Sequence, residues 1–361
     1  MGAYSAVYHI NQMKRISLFL LAAFAFCSEA AGQTILIKHV ERDTAYIKDY
    51  YSKHLILRIY ESTKFNNFKF IDHKDRLVFK PNDHNNFGVG FNYRFISLNF
   101  GFYIPDLSKS IDIYGKTRQL DLQTHVYLHK LIADLYLQFY HGYYLSNTDE
   151  TLENFEDRRV VNRPDIDTRN ASLVAQYVFN DQQFSYNAAF YQNERQVKSA
   201  GSLLAGGGIY HTALAGDSSL IPTKAQYINF FNNARFNRTE NTAIGVNAGY
   251  AYTFIIRKYF FLTGFLSAGT GINYAVLTNT YLDSKRDRVG LQLNITERLA
   301  MGYNDDRYFA GITYIRLITK NNATDPGSWQ EVNTGNFRVT VARRFRQRKE
   351  LIPENKFIKS E

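Results

Sequence analysis

Residues 86–105, NFGVGFNYRFISLNFGFYIP, restrict this chain more than any other stretch. In the first arm Phe87, Val89, Phe91, Tyr93 and Phe95 alternate with Gly88, Gly90, Asn92 and Arg94. In the second, Leu98, Phe100, Phe102 and Ile104 alternate with Asn99, Gly101 and Tyr103. The phase changes once, at 95–97, as a tight turn between two period-2 strands requires. One face is strongly aromatic and the other is Gly and Asn rather than Lys and Glu. That suits a strand with lipid on one side and a crowded, wet lumen on the other.

A chain of 361 residues fits one large or two medium domains. Aromatics reach 16% while mean hydropathy stays below zero. A helical membrane protein would be far more apolar overall; alternating strands dilute hydrophobicity in this way. Lys14 and Arg15 precede the apolar run 16–26 and small residues at 28–32. This reads as a secretory signal peptide over 1–32, with Met13 a possible true start. The run is shorter than the ~20 residues a spanning helix needs. Cys27, the single cysteine, lies inside it. The mature chain is therefore expected to hold no disulfide, thiolate metal site or cysteine nucleophile.

Residues 33–70 are charged and mixed in pattern, and read as a periplasmic arm or plug, with 55–60 a candidate strand at its end. The barrel reading runs over 71–346, with 347–361 as a basic periplasmic tail. Within it, 120–129 sets Leu120, Leu122, Val126 and Leu128 against Asp121, Gln123, His125 and Tyr127. After His129 and Lys130 the phase flips, and Leu131, Ala133, Leu135, Leu137 and Phe139 oppose Asp134, Tyr136, Gln138 and Tyr140. Segments 242–254, 259–273, 288–298 and 336–345 alternate similarly; 172–179 and 184–191 form a weaker pair. Short connections at 95–97, 129–130, 180–183 and 256–258 alternate with long polar ones at 105–118, 145–170, 275–286 and 320–334. Short periplasmic turns and long outer loops are the habit of outer-membrane barrels. The expectation is all-β: a transmembrane antiparallel up-and-down β-barrel of about 12–14 strands. Fourteen requires both 203–211 and 227–236 to be strands.

The chain resembles the Bacteroidetes-type family of unknown function numbered 4421. The resemblance rests on FKPN (79–82), GVGFNYRFISLNFGFYIP (88–105), KSAGSLLAGGG (198–208), DSSLIP (217–222) and the terminal NFRVTVARRF, and spans roughly 45–345. It implies an outer-membrane-type barrel and no established activity.

A two-residue turn at His129 and Lys130 pairs His125 with Asp134 across the ladder, then Gln123 with Tyr136 and Asp121 with Gln138. A His–Asp pair is what a barrel hydrolase would use to orient a general base. No GxSxG context accompanies it, and lumens are routinely lined by polar networks. Ser199 and Ser202 beside glycines read as strand-bend positions. The nine histidines show no metal spacing, and neither metal nor cofactor is expected. Net charge is +10, with Arg343, Arg344, Arg346, Arg348 and Lys349 following the last strand, placed either to touch anionic headgroups or simply to solvate that end. Arg94, Arg288, Arg298 and Arg338 fall in polar phase and would favour anions in the lumen. The lumen-facing set is Arg94, Asp121, Gln123, His125, Asp134, Gln138 and Arg338.

Three function classes follow. The first is a channel or transporter for small solutes in the outer membrane of a Gram-negative bacterium, ranked on what barrels of this size do. A lipid-modifying enzyme on His125 and Asp134 ranks below it, beside a structural or surface-interaction barrel. Expected partners are outer-membrane lipids, including lipopolysaccharide, and the barrel-assembly machinery; nucleic acid is not among them.

Overall fold

The structure, a computed structural model, describes residues 42–50, 54–83, 85–93, 96–103, 110–127, 130–148, 160–222, 230–233 and 235–347. The signal peptide, Arg94 and the basic tail beyond 347 lie outside them. In chain order the strands are β1 (Ile47–Asp49), β2 (His54–Asp72), β3 (Asp75–Lys80), β4 (Asn85–Tyr93), β5 (Ile96–Tyr103), β6 (Arg118–Tyr127) and β7 (Leu131–Leu145). They continue with β8 (Val161–Val178), β9 (Glu194–Gln196), β10 (Ala200–Ala215), β11 (Arg238–Ile256), β12 (Phe260–Asn279), β13 (Ser284–Asn304), β14 (Tyr308–Asn322) and β15 (Ser328–Arg346). Two short helices are described, α1 (Ser110–Tyr114) between β5 and β6 and α2 (Tyr186–Phe190) between β8 and β9.

All pairings are antiparallel, and β15 closes on β2 along their full length. A closed ring of ten strands results: β2, β3, β7, β8 and β10 through β15. Side chains alternate as the hairpins demand. On β11, Ile244, Val246, Tyr250 and Phe254 are exposed while Asn247, Ala251 and Thr253 are buried inside. The same holds on β13, with Val289, Leu291, Leu293 and Ile295 outside and Gln292, Asn294 and Thr296 inside. A continuous outward apolar band over a polar interior is the arrangement for lipid outside and protein or water inside.

Four sequence expectations need correction. Residues 54–70 are not an arm but most of β2, because its inward face carries Arg58 and Lys64 among apolar residues and so hides the alternation. Residues 42–50 do stand apart from the wall, pairing with β9 at the turn end. Second, 184–191 is not a strand: Ser185 caps α2, its Oγ accepting from the Ala188 amide. Third, within 227–236 the described residues form no strand. Phe230, Phe231 and Phe236 instead join Phe68, Phe70, Leu77, Phe79, Leu220 and Ile221 in an apolar cluster filling the loop end. In place of the expected 12–14 strands, the closed ring has ten. Fourth, two of the long outer loops are short turns on tall strands: β12 and β13 run 20 and 21 residues, about twice the 9–11 a spanning strand needs.

Both ends of the interior are filled. The loop end holds the aromatic cluster just described. The turn end holds α2, whose Tyr186 packs with Phe184, Leu204, Ala251 and Phe265. Arg344 fixes this insert, donating to the Gln192 and Asp305 carbonyls, with its guanidinium 4.4 Å from the Tyr50 ring centre. Asp306 clasps it from the β13–β14 turn, accepting from Lys48 Nζ at 2.8 Å and Tyr50 Oη at 2.6 Å.

Candidate functional site: a lateral seam and its cavity

Among the described residues the wall has one discontinuity. β4 pairs with the first half of β2 and β5 with β4, while β6, among the described residues, pairs with β7 alone. Among the described residues β5 and β6 do not pair with each other. Near the turn end twelve strands therefore stand side by side with a gap between two bare edges. Towards the loop end, β3 bridges β2 to β7 and completes the ring.

Gly142 explains the switch. It sits at φ +91° in a bulge between His141 and Tyr143, where a Cβ would meet the Lys116 carbonyl oxygen at 2.3 Å. Before the bulge β7 pairs with β6; after it, Tyr144 and Leu145 pair with β3. The top of the gap is laced shut there. Thr117 Oγ donates to the Gly142 carbonyl at 2.8 Å and accepts from the Asn82 amide at 2.8 Å, while Asn82 Nδ2 donates to the Gly115 carbonyl at 2.9 Å. Asn82 is the last residue of FKPN, so that motif's work is to close the wall above the seam.

Behind the gap lies a cavity of about 700 Å³. Seven consecutive β6 residues, Gln119 to His125, line it. A strand paired on both edges shows a lumen only every second residue. Lining by both parities means that the cavity wraps around the free edge of β6 and opens outward. Its mouth is apolar: Leu120 and Leu122 are 55% and 51% exposed, and Ile111 of α1 joins them in the lining. Phe100 and Phe102 present further exposed rings on β5.

The interior of the cavity is polar and cationic. Arg58 of β2 donates from Nε to Asn99 Oδ1 at 2.8 Å, from Nη2 to Asn92 Oδ1 at 2.6 Å and from Nη1 to Gln192 Oε1 at 3.0 Å. Arg338 of β15 stands over the Tyr60 ring at 4.6 Å. Tyr60 in turn covers Gly88, where a Cβ would meet its ring at 2.3 Å, so the glycine leaves room for the aromatic wall. Lys64 Nζ donates at 2.7 Å to the Asp121 carbonyl on the open β6 edge, satisfying a backbone group that lipid cannot. Among the described lining residues four are cationic (Arg58, Lys64, Lys116, Arg338) and one is a carboxylate, Asp121.

The expected lumen set falls as follows. His125 lies opposite Asp134, Gln123 opposite Tyr136 and Asp121 opposite Gln138. His125 Nδ1 donates to Asp134 Oδ1 at 2.6 Å, and the second Asp134 oxygen accepts from Arg298. Asp121 accepts from Tyr140 Oη at 2.6 Å and Gln138 Nε2 at 2.7 Å. Gln138 reaches Thr334 on the far wall at 2.6 Å. Asp134 and Gln138 are buried behind the cavity, while Asp121, Gln123, His125 and Arg338 line it. Arg94 lies outside the described residues. Arg288 is exposed beyond the apolar band. Arg58 was missed: it sits in the stretch read as an arm, and only its in-phase position between Ile56 and Tyr60 marks it. Among the described residues no group of three His, Asp or Glu side chains is gathered as a metal site.

The closed antiparallel ring with its outward apolar band defines a transmembrane β-barrel of the outer-membrane type. The chain belongs to the family described as Domain of unknown function (DUF4421), whose profile matches residues 41–345. No curated protein matches it. Similar solved structures include the outer membrane protease OmpT from Escherichia coli, 8% identical, covering 81% of this chain and 97% of that one at TM-score 0.36. The translocator domain of autotransporter NalP from Neisseria meningitidis is 10% identical over 91% and 98%, at TM-score 0.29. The Pseudomonas putida toluene transporter TodX is 7% identical over 82% and 91%, at TM-score 0.21. Such distant matches carry no argument about activity.

Proposed function

We propose that this barrel sits in the outer membrane and belongs to the transport class, exchanging a ligand between the lipid phase and its interior through the β5–β6 seam rather than along its axis. The observation that carries this reading is the lining of one cavity by seven consecutive residues of β6. Filled ends support it too: the aromatic cluster and the α2 insert occupy the two places where an axial solute would enter. A ligand that arrives sideways needs apolar surface, and the mouth supplies it in Ile111, Leu120 and Leu122.

A photoreactive benzoylphenylalanine placed at Gln123 in the reconstituted protein tests the reading. It should capture bilayer lipid, while the same label at Asn294, buried on the opposite wall, should not. Equal capture at both positions, or none at Gln123, would overturn lateral access. In a planar bilayer the intact protein should show no steady single-channel steps.

A second reading, lipid-ester modification, draws on one observation: His125 lines this cavity with Asp134 bound to its Nδ1. A His125→Gln variant that binds lipid normally but fails to turn over a lipid ester would favour it.

A further inference from the structure

We propose that the lipid-facing wall of β6, β7 and β8 binds lipopolysaccharide, with one of its phosphates held between Arg118 and Arg169 and its acyl chains lying along the apolar rows below. The site rests on the outer-membrane placement proposed above and is independent of lateral access.

A hollow of about 360 Å³ lies on this wall, lined by three consecutive residues from each strand. The three strands are laddered together there. Arg118 stands opposite His141 and His141 opposite Asp167; in the next outward row Leu120 stands opposite Phe139 and Phe139 opposite Arg169. All six share the phase of Leu120 and Phe139, which are exposed on the outside of the barrel. The hollow therefore faces lipid and not the lumen.

Its height on the wall matches a headgroup. Towards the turn end the following outward row is Leu122, Leu137 and Ala171. Charge on this face thus stops at the two rows of the hollow, where the apolar band begins. The loop end of an outer-membrane barrel meets the outer leaflet. Arg169 already stands level with Phe139, beside apolar surface, and its long side chain can reach back up to the headgroup layer.

The charge here is also unanswered. Among the described residues neither Arg118 nor Arg169 has a hydrogen bond or an ion pair. The one carboxylate in the lining, Asp167, is paired with His141 across 2.9 Å. Further round the same border the situation differs. Arg238, in register with Asp167 through Ala215, donates from Nε to Glu240 at 2.8 Å, so its charge is met within the protein. Two strands and one outward row separate Arg118 from Arg169, about 12 Å by strand and residue spacing. Two arginine side chains can close that distance onto one tetrahedral oxyanion in the hollow between them, each offering it a fork of donors.

The test uses the full protein folded in an uncharged detergent, titrated by native mass spectrometry. The probes are diphosphoryl lipid A, the same lipid A with its phosphates removed, and phosphatidylglycerol. Diphosphoryl lipid A should bind at least about ten-fold more tightly than the dephosphorylated form, the range of one charge-assisted contact. The double variant Arg118→Gln/Arg169→Gln should remove that advantage, and Arg238→Gln should keep it; the mobility of unheated protein on a gel checks that each variant is folded. Equal binding of the two lipid A forms, or a double variant that keeps the preference, would overturn the site and leave the outer-membrane placement standing. An equal loss in Arg238→Gln would reveal a general charge effect and overturn the assignment to β6–β8. Phosphatidylglycerol binding as tightly as diphosphoryl lipid A would overturn lipopolysaccharide in favour of a phospholipid headgroup. Density-gradient fractionation of cells reads the placement separately: a barrel recovered apart from the lipopolysaccharide-bearing membrane would overturn the placement, and the proposal with it, whatever lipid A does in detergent.

Discussion

Removing the Arg298 guanidinium should strip the charge that holds Asp134 inside the wall. Asp134 is 2% exposed and Arg298 fully buried, so neither can recover water if the other is lost. At an effective dielectric near 20 and ~4 Å, their attraction is about 4 kcal/mol. Breaking one side of a buried pair typically costs about 3–5 kcal/mol, because the orphaned charge stays desolvated. Arg298 also stacks 5.7 Å from Tyr186 of α2 and 5.6 Å from Phe265, and each cation–π contact adds roughly 0.5–1 kcal/mol. Arg298→Met should therefore lose about 4–6 kcal/mol. Asp134→Asn should lose about 3, by stranding the arginine. The double variant strands nothing and should lose less than the sum by about 2–3 kcal/mol. Urea titration of the micelle-folded barrel, followed by the mobility of unheated protein on a gel, reads all three. A single variant that costs under 1 kcal/mol, or a double variant equal to the sum, would refute the account of Arg298 as Asp134's counter-charge.

Three further outcomes follow. Burial is the largest influence on Asp306 and pushes its carboxyl up, but hydrogen bonds from Lys48 and Tyr50 and the charge on Arg195 prevail and hold it at about 2. A depressed carboxyl contributes stability above the unfolded value and loses it as pH falls; limited proteolysis within 42–50 should thus accelerate between about pH 4 and pH 2, and Asp306→Asn should abolish that acid step. Hydrogen exchange should run on the order of ten-fold faster at edge-facing amides of β5 and β6 than at mid-strand amides of β12 and β13; equal protection would mean a zipped seam. Gly88→Val should cost roughly 1–3 kcal/mol by urea titration, since its Cβ would meet Tyr60 at 2.3 Å and the Phe100 carbonyl at 2.7 Å.

The barrel was legible because lipid writes on every strand: wherever Ile244, Val246 or Leu291 faces outward, its neighbours face inward, and the pattern needs no partner to be seen. The His125–Asp134 pairing was legible for a similar reason. It depends on one short turn, and the count never leaves the hairpin. Arg298 could not be joined to them from sequence, since its approach to Asp134 depends on how strands far apart in the wall are staggered. The seam was invisible too. Residues on β5 and β6 alternate as paired strands do, and the absence of a ladder partner leaves no mark on side-chain pattern. The turn-end insert misled for the opposite reason: Phe184, Tyr186, Phe190 and Tyr191 look like a lipid-facing strand, yet they are apolar because they plug the mouth.

The closure of β15 on β2 sets the order of events when the chain folds. These strands are the first and last of the wall, each 19 residues long, and their partners lie more than 250 positions apart, as with Asp72 and Ser328. No ring exists until the final strand has been made, so the polar interior stays open to solvent for the whole of synthesis. Contacts this distant in sequence form slowly. A chain cut short before 328 would leave one edge of β14 and one edge of β2 without a partner, adding two more open edges to a wall that already carries a pair at the seam. Truncation at this end should therefore yield aggregate rather than a smaller barrel.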